Sequence, residues 1–316
     1  MYYPDDRPGI RRKRQGRGFS YLAPDGTRIE NEGERARIAA LAVPPAYENV
    51  WISPLKNGHL QATGRDARAR KQYLYHPDWT LHRAQKKFDQ LGAFGEALPR
   101  IRARVARALR NGDAGEHGFA LAAVIAMLDQ LSLRVGNPEY ADENGTYGAT
   151  TLKGRHIKLS DGGLLLRYPG KGGRKVARKV STKSLLQTLQ RLHDLPGAAL
   201  VTWIDDSGRT RTVSSGEVNT WIAEATGLEA ATAKTFRTWN GSVAALAAAR
   251  EADRVTVSLM AKAAAERLAN TPSIARNSYI HPKVIGLAKR PEAIPAEGPD
   301  ISGLLADERR LIALIG

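Results

Sequence analysis

Beyond residue 80, apolar residues recur mainly at the three- and four-residue steps of a helix with one buried face. The clearest case lies within residues 117–135, where the apolar side chains at this step are Leu121, Val124, Ile125, Leu128 and Leu131. Gly136 is expected to end that helix. A helix over about 80–90 is expected to break at Gly92 and Gly95 and to continue over 97–110. Further helices are predicted at about 183–193, 215–226, 232–249, 254–268, 271–279 and 303–315.

Short strand-like runs bounded by turn residues occupy two other parts of the chain. Near the N-terminus they lie at 19–22, at 49–53 and from residue 72, with one helix predicted over 30–41. The second group lies at 155–160, 164–168 and 175–180, joined by turns at 161–163 and 170–173. The pattern predicts an α+β protein. A small β-rich N-terminal domain is expected at 1–87, and a mainly helical C-terminal domain with a small antiparallel sheet at 88–316.

Charge indicates the class of partner. The chain has 316 residues, 48 Lys and Arg against 32 Asp and Glu, and 42% hydrophobic residues. This composition supports folded cores and excludes a disordered basic tail. Residues 1–87 hold 17 of the basic and 9 of the acidic residues, so the first quarter carries half of the net +16. A folded protein of this charge is expected to bind a polyanion, with nucleic acid preferred over a merely solvated basic surface.

The residue types and motifs that the sequence lacks exclude several other classes of protein and of functional site. There is no cysteine, which removes disulfides, thiolate metal sites and cysteine nucleophiles. No membrane span and no signal peptide are recognisable, so we expect a cytoplasmic, nucleoid-associated protein. P-loop, Gly-x-Ser-x-Gly and metal-ligand spacings are also lacking, and neither a cofactor nor a metal is expected.

Two basic segments in the N-terminal part could contact DNA. The run Arg11–Arg14 is interpreted either as a solvated tail or as an arm along phosphates. Residues 64–76 combine cations with an amide and tyrosines, which can bind phosphates, base edges and sugars. Tyr73 and Tyr75 would share one face of a strand, and the alternative is a pair of core tyrosines. The predicted DNA contacts here are Arg65, Arg68, Arg70, Lys71, Gln72, Tyr73 and Tyr75.

The C-terminal domain contains candidates for phosphoryl transfer. Arg134, between apolar residues at a helix end, would pair either with a carboxylate such as Glu143 or with a bound phosphate. Lys171 is interpreted either as a solvated turn lysine or as a general acid at a hairpin tip. Lys234 and Arg237 would share a helix face.

A tyrosine completes this set of candidates. Thr271 and Pro272 are typical of a helix start, and the short helix that follows carries Tyr279. A tyrosine can attack phosphorus without a metal, and arginines neutralise the oxygens of the transition state.

Several of these segments resemble motifs of the bacterial and poxvirus-like type IB DNA topoisomerases. They are Leu133–Asn137, the hairpin Gly170–Gly172, the motif Lys234-x-x-Arg237-Thr-Trp, residues 270–282 and residues 64–79. The motifs occur in the family's order, and the resemblance spans residues 18–287.

The resemblance implies a role for each matching residue. Tyr279 matches the nucleophile that joins the 3′ phosphate and releases a 5′ hydroxyl. Arg134 and Arg237 match the arginines that stabilise the pentacoordinate phosphorus, and Lys171 matches the lysine that protonates the leaving oxygen. Asn270 stands where many relatives have histidine; its amide can donate a hydrogen bond but cannot transfer a proton.

The resemblance also implies a monomer that closes as a bilobed, C-shaped clamp around supercoiled duplex DNA. Gln72, Tyr73 and Tyr75 match the segment that enters the major groove, and Lys234 is expected to contact DNA. The enzyme would nick one strand, let the duplex swivel and religate it without ATP or metal.

One alternative is a site-specific tyrosine recombinase, which usually has His-x-x-Arg where this chain has Lys234-x-x-Arg237. A second is a DNA-packaging protein without catalytic activity.

Overall fold

The structure is a computed structural model that describes residues 1–160 and 163–316, without the side chains of residues 83–86, 159 and 160. Most of the predicted turn at 161–163 therefore lies outside the described residues. The chain divides into two compact units, Met1–Lys86 and Lys87–Gly316. The first unit is built on an antiparallel sheet and the second is mainly helical with small sheets, which confirms the predicted α+β class.

The first unit contains a five-stranded antiparallel sheet in the order β2-β1-β3-β4-β5. Its strands are β1 (Ile10–Gln15), β2 (Gly18–Leu22), β3 (Glu48–Ile52), β4 (Leu60–Arg65) and β5 (Lys71–Tyr75). Helix α1 (Glu32–Ala40) buries Ile38 against the sheet residues Ile10, Val50, Ile52 and Ala62. Strand β5 pairs with β4 of this core and carries Lys71–Tyr75 of the predicted DNA-contact segment.

The basic run Arg11–Arg14 is part of this sheet. It lies in β1, which pairs with β2 on one side and with β3 on the other. The guanidinium of Arg12 lies over the ring of Phe19 and donates to the carbonyls of Val43, Pro44 and Tyr47. The run is therefore a sheet strand and not a solvated tail, so the first sequence interpretation was wrong. Arg11, Lys13 and Arg14 are exposed on this strand, and their contact with phosphates stays a prediction. A strand made of charged residues has no apolar alternation by which to recognise it.

The second unit is mainly helical. Helix α2 (Pro77–Asp89) runs across the boundary between the units, and its last residues begin the second unit. The helices that follow are α3 (Leu91–Asn111), α4 (His117–Leu131), α5 (Pro138–Asn144), α6 (Lys183–His193), α7 (Ser215–Thr226), α8 (Ala233–Glu251), α9 (Val257–Leu268), α10 (Pro272–Tyr279), α11 (Pro282–Gly286) and α12 (Ala306–Ile315). An antiparallel sheet contains β6 (Ile157–Ser160), β7 (Gly163–Pro169) and β8 (Lys175–Val180). A second sheet pairs β9 (Thr202–Ile204) with β10 (Thr210–Thr212), whereas the sequence predicted only one sheet in this unit.

Two helix boundaries differ from the prediction. Helices α2 and α3 separate at Gln90, and Gly92 and Gly95 lie inside α3. A Cβ atom on Gly95 would come within 2.2 Å of the indole ring of Trp239, so this glycine permits close helix packing and does not break the helix. Helix α4 ends at Ser132, whose φ of 55° is left-handed, and not at Gly136. Arg134 therefore lies in an irregular segment after the helix.

The last helix, α12, joins the core of this unit through a buried ion network. Glu308, only 3% exposed, accepts hydrogen bonds from Arg102 and from the indole N–H of Trp239. Arg102 also pairs with Asp129 at 2.8 Å. Trp239 lies in α8, close in sequence to Arg237, and Asp129 lies near the end of α4. The network therefore links the C-terminal helix to α8, which carries Arg237, and to the end of α4, just before the segment that carries Arg134.

We expect Glu308→Ala to destabilise the protein by about 1–3 kcal/mol, because the buried indole N–H of Trp239 loses its acceptor and the partly buried Arg102 keeps only Asp129 as a carboxylate partner. Burial raises the pKa of Glu308, but its hydrogen bonds with Arg102 outweigh burial and lower the pKa. This contribution to stability is therefore present at neutral pH and is lost as the pH falls through the lowered pKa. Urea unfolding measures both effects. The control Asp300→Ala removes an exposed carboxylate and should change stability little; an equal loss in both variants would contradict the network's role.

Candidate active site

Separate elements of the second unit carry the predicted catalytic residues. Arg134 follows α4, Lys171 lies between β7 and β8, Arg237 lies in α8, Asn270 follows α9, and Tyr279 ends α10. A small cavity of about 20 Å³ is lined by Arg134, Lys171 and Arg237, together with Tyr168. Arg237 contacts Tyr279, and Arg134 contacts Asn270. The five residues thus belong to one connected group of contacts and cavity walls.

Tyr279 is buried among cations. Its side chain is 7% exposed, and the guanidinium carbon of Arg237 lies 5.1 Å from the centre of its ring. Burial raises the pKa of the Tyr279 hydroxyl, but the positive charges of Arg237, Arg134 and Lys234 outweigh burial and lower it. This phenol is therefore easier to ionise than a free tyrosine, as a nucleophile requires.

Arg237 is held rigidly by backbone carbonyls. Its terminal nitrogens donate to the carbonyl of Ser132 and, at 2.9 Å, to that of Leu268. Burial and the neighbouring Arg134 lower the pKa of Arg237 to about 10, so it stays charged at neutral pH. Its Nε has no hydrogen-bond partner among the described residues. A buried, fixed cation with a spare donor can stabilise charge that develops on a bound phosphate.

Arg134 and Asn270 form a direct pair. Nη2 of Arg134 donates to Oδ1 of Asn270 at 2.6 Å, and the amide nitrogen of Asn270 has no partner within the described part of the chain. Arg134 makes no ion pair with any described residue, so the alternative pairing with Glu143 was wrong. The pair leaves both N–H groups of the buried Asn270 amide available to ligand oxygens.

Lys171 is exposed at the tip of the β7–β8 hairpin. It begins a short turn in which Gly172 and Gly173 both have a φ of +73°, a left-handed conformation that favours glycine. Lys171 also lines the small cavity. This position fits both a solvated lysine and a mobile general acid, so its role stays a prediction.

Sequence reasoning missed a set of residues around the end of α9. Arg174 donates to the carbonyl of Asn270 at 3.1 Å, and Arg178 donates to the carbonyls of Glu266 and Arg267. Both arginines come from the hairpin that carries Lys171, so they tie that hairpin to the segment that contains Asn270. The signal that could have found them is the density of cations over residues 171–179.

Tyr168 is a second tyrosine of the site that the sequence did not single out. It is buried in β7 and lines the same small cavity as Arg134 and Arg237. Burial raises its pKa to about 12 despite the nearby arginines. Two buried tyrosines in this site therefore differ in the direction of their pKa shifts, and only Tyr279 becomes easier to ionise.

In the first unit, the tyrosines of the predicted DNA-contact segment face solvent. Tyr73 is 51% exposed and Tyr75 is 38% exposed, and their rings stack with centres 6.1 Å apart. The alternative of a core tyrosine pair was therefore wrong. Two exposed aromatic faces on one strand can pack against bases or sugars.

The polar residues of this segment have partners of their own. Asp66 receives hydrogen bonds from Arg70 and, at 2.9 Å, from Gln72, while Lys71 pairs with Asp5 at 2.6 Å. Arg65 is exposed and donates to the carbonyl of Ala69. Arg68 is also exposed, as is Lys234 on α8 of the second unit. Binding of phosphates by Arg70 or Lys71 would have to compete with these ion pairs.

Comparison with known families gives the site its context. Residues 18–66 match the N-terminal domain of bacterial DNA topoisomerase IB, and residues 70–277, more than half of the chain, match the catalytic core of eukaryotic DNA topoisomerase I. The chain belongs to the type IB DNA topoisomerases. As a member of this family it is an isomerase that acts on DNA, which argues against both the recombinase and the packaging protein. The core match ends two residues before Tyr279.

Individual relatives agree with this assignment. DNA topoisomerase 1B of Acanthamoeba polyphaga mimivirus is 27% identical over 287 residues, which cover 86% of this chain and 85% of the relative. DNA topoisomerase 1B of vaccinia virus is 23% identical over 252 residues, which cover 77% of this chain and 76% of the relative.

Among the described residues, no helix is long and apolar enough to cross a membrane. His, Asp and Glu side chains in the same residues form no group of three or more that could hold a metal ion.

Proposed function

We propose that this type IB topoisomerase relaxes supercoiled DNA through a 3′-phosphotyrosyl intermediate on Tyr279. The observation that carries the proposal is the buried Tyr279 hydroxyl, whose pKa is lowered by Arg237 and Arg134. After one strand is cut, the duplex swivels and the free 5′ hydroxyl attacks the intermediate to restore the strand. The phosphotyrosyl bond conserves the energy of the broken phosphodiester, so the reaction requires neither ATP nor a metal ion.

The proposed step transfers a phosphoryl group between two oxygens. A bond forms between the Tyr279 oxygen and phosphorus, and the bond from phosphorus to the 5′ oxygen breaks. The phenolic proton passes to water, and Lys171 gives a proton to the 5′ oxygen. Arg134, Arg237 and the free amide N–H of Asn270 would donate to the nonbridging oxygens, where the transition state carries its charge.

The first domain, residues 1–87, would bind the same duplex through strand β5. Exposed Tyr73 and Tyr75 and the cations beside them support this part of the proposal, with Gln72 reading a base edge. The proposal includes a monomer that encloses the DNA as a clamp and acts on the nucleoid, with the second domain, residues 88–316, carrying the chemistry.

Relaxation of a supercoiled plasmid tests the proposal directly. The protein should relax the plasmid in EDTA without ATP, and a denaturing gel should show a covalent adduct with a nicked or suicide oligonucleotide. An absence of relaxation under these conditions, or relaxation without any covalent adduct, would contradict the proposed function.

Salt dependence tests the N-terminal contacts. Arg65→Ala should reduce the slope of log affinity against log salt concentration by about 0.9, the value for one lost phosphate contact. Fluorescence anisotropy with a labelled duplex at several salt concentrations measures the slope. Arg28 is an exposed arginine of the same unit with no assigned contact, and Arg28→Ala should leave the slope unchanged. Equal slopes for both variants would show that Arg65, which ends β4 opposite Lys71 of β5, makes no phosphate contact.

The role of Lys171 as a general acid can be tested with a substrate whose leaving group needs no proton. Lys171→Ala should slow strand cleavage by about 10²–10⁴, the contribution of a general acid. A substrate with sulfur as the 5′ bridging atom should restore most of the rate, because a thiolate leaves without protonation. Lys175→Ala, an exposed lysine of the same hairpin, is the matched control and should cleave both substrates normally. Failure of the sulfur substrate to rescue Lys171→Ala would remove the acid role.

A further inference from the structure

Lys87 contacts the segment that carries Tyr279 but belongs to none of the motifs discussed above. It lies in the last turn of α2 and is partly buried, and its Nζ donates to the carbonyl of Ser278. The same nitrogen lies 5.5 Å from the ring centre of Tyr279 and 4.3 Å from that of Phe88. Lys87 therefore contacts both the ring of the nucleophile and the backbone immediately before it.

The bond to Ser278 satisfies a helix end. Ser278 lies in the last turn of α10, where carbonyl groups lack partners within the helix. A cationic side chain at this end also interacts favourably with the helix dipole. Because α10 has only eight residues and ends at Tyr279, a partner for this carbonyl directly limits the freedom of the nucleophile.

The surroundings of Lys87 disfavour the charged form of its side chain. Lys87 forms no ion pair with any described residue, and its neighbours are the rings of Phe88 and Tyr279. Burial, together with the charge of Lys234 on α8, lowers the pKa of Lys87 to about 7. His281, whose ring contacts Phe88, has a pKa lowered to about 4 by burial and nearby lysines and is neutral at pH 7. Both the ammonium and the amine of Lys87 have N–H groups, so the hydrogen bond to Ser278 is available in either state.

We propose that Lys87 is a positioning residue that holds the end of α10 and the ring of Tyr279 in place for attack on the DNA phosphate. This proposal rests on the proposed function of Tyr279. Lys87 acts on the nucleophile and not on the phosphate, so its effect on the two directions of the reaction should differ. Before cleavage, the ring must be held by the protein. In the covalent intermediate, the phosphotyrosyl bond itself holds the ring, and the attacking group is the 5′ hydroxyl.

Loss of Lys87 should therefore slow cleavage and leave religation unchanged. Lys87→Met keeps most of the apolar stem but removes the donor, and it should reduce the single-turnover cleavage rate about tenfold or more, since a small misplacement of a reacting group has effects of this size. The fraction of covalent adduct at equilibrium should fall by the same factor. Lys87→Arg keeps a donor and a positive charge, and it should recover most of the cleavage rate.

The experiment uses the full chain with a suicide duplex for cleavage and a 5′-hydroxyl strand added to the isolated adduct for religation. Lys262→Met, which removes one exposed lysine from α9, controls for the loss of charge, and anisotropy measures DNA affinity for every variant. Thermal unfolding checks folding, and Lys87→Leu, which also lacks a donor, replaces Lys87→Met if the latter does not fold. Cleavage at the wild-type rate, equal slowing of both directions, or no recovery in Lys87→Arg would each overturn the proposal. An inactive wild-type protein would instead disprove the proposed function itself.

Discussion

Tyr279→Phe is expected to abolish the covalent protein–DNA adduct and to lower the relaxation rate by on the order of 10⁶, the scale of losing a covalent nucleophile. Only the hydroxyl oxygen is removed, so the ring contacts with Arg237 and Lys87 can remain. DNA affinity and thermal stability should therefore stay close to those of the wild type. A denaturing gel with a labelled suicide substrate measures the adduct, and plasmid relaxation measures turnover.

Tyr168→Phe is the matched control for this variant. Tyr168 is buried as Tyr279 is and lines the same site, but burial raises its pKa to about 12. It is thus harder to ionise than a free tyrosine and is poorly suited to attack phosphorus. Tyr168→Phe should form the adduct at close to the wild-type rate. If the adduct instead persists in Tyr279→Phe and disappears in Tyr168→Phe, the nucleophile has been assigned to the wrong residue.

Arg237→Ala is expected to slow both cleavage and religation by about 10²–10³, the cost of removing one preorganised donor to a transition state. Because Arg237 would act on the transition state, both directions should slow by the same factor and the equilibrium fraction of adduct should not change. This result would differ from the one-sided effect expected for Lys87→Met. Single-turnover cleavage and religation with oligonucleotides measure the two rates.

The contribution of Arg237 to stability has to be separated from its contribution to the chemical step. Removing its guanidinium also leaves the carbonyls of Ser132 and Leu268 without their donor, so Arg237→Ala should lose stability as well. Arg178→Ala is the comparison, because Arg178 lines the same cavity and donates to Leu131 and other backbone carbonyls. It should lose stability with less than about a tenfold effect on cleavage. Equal rate losses in both variants would assign Arg237 a structural role only.

Helices with local start and stop signals were predicted most accurately. The predicted helices 183–193 and 215–226 coincide with α6 and α7. For α7 the reason is visible, since Ser214 and Glu217 cap its start and Gly227, with a φ of 72°, ends it. Elements whose form depends on distant partners were predicted poorly. Gly95 lies inside a helix because α3 packs closely against Trp239 there, and the charged β1 forms because strands on both sides pair with it.

The sequence by itself determined the α+β class, the most strongly patterned helices and the family, because periodicity, capping residues and motif order are local properties of the chain. It also nominated Arg134, Lys171, Arg237, Asn270 and Tyr279, through their motifs. Only the tertiary structure decided which of these residues touch. Arg134 meets Asn270 across 136 positions of sequence, and Lys87 meets Ser278 across 191. The direction of each pKa shift was also beyond the sequence, because burial and the charges around a side chain exist only once distant segments pack together.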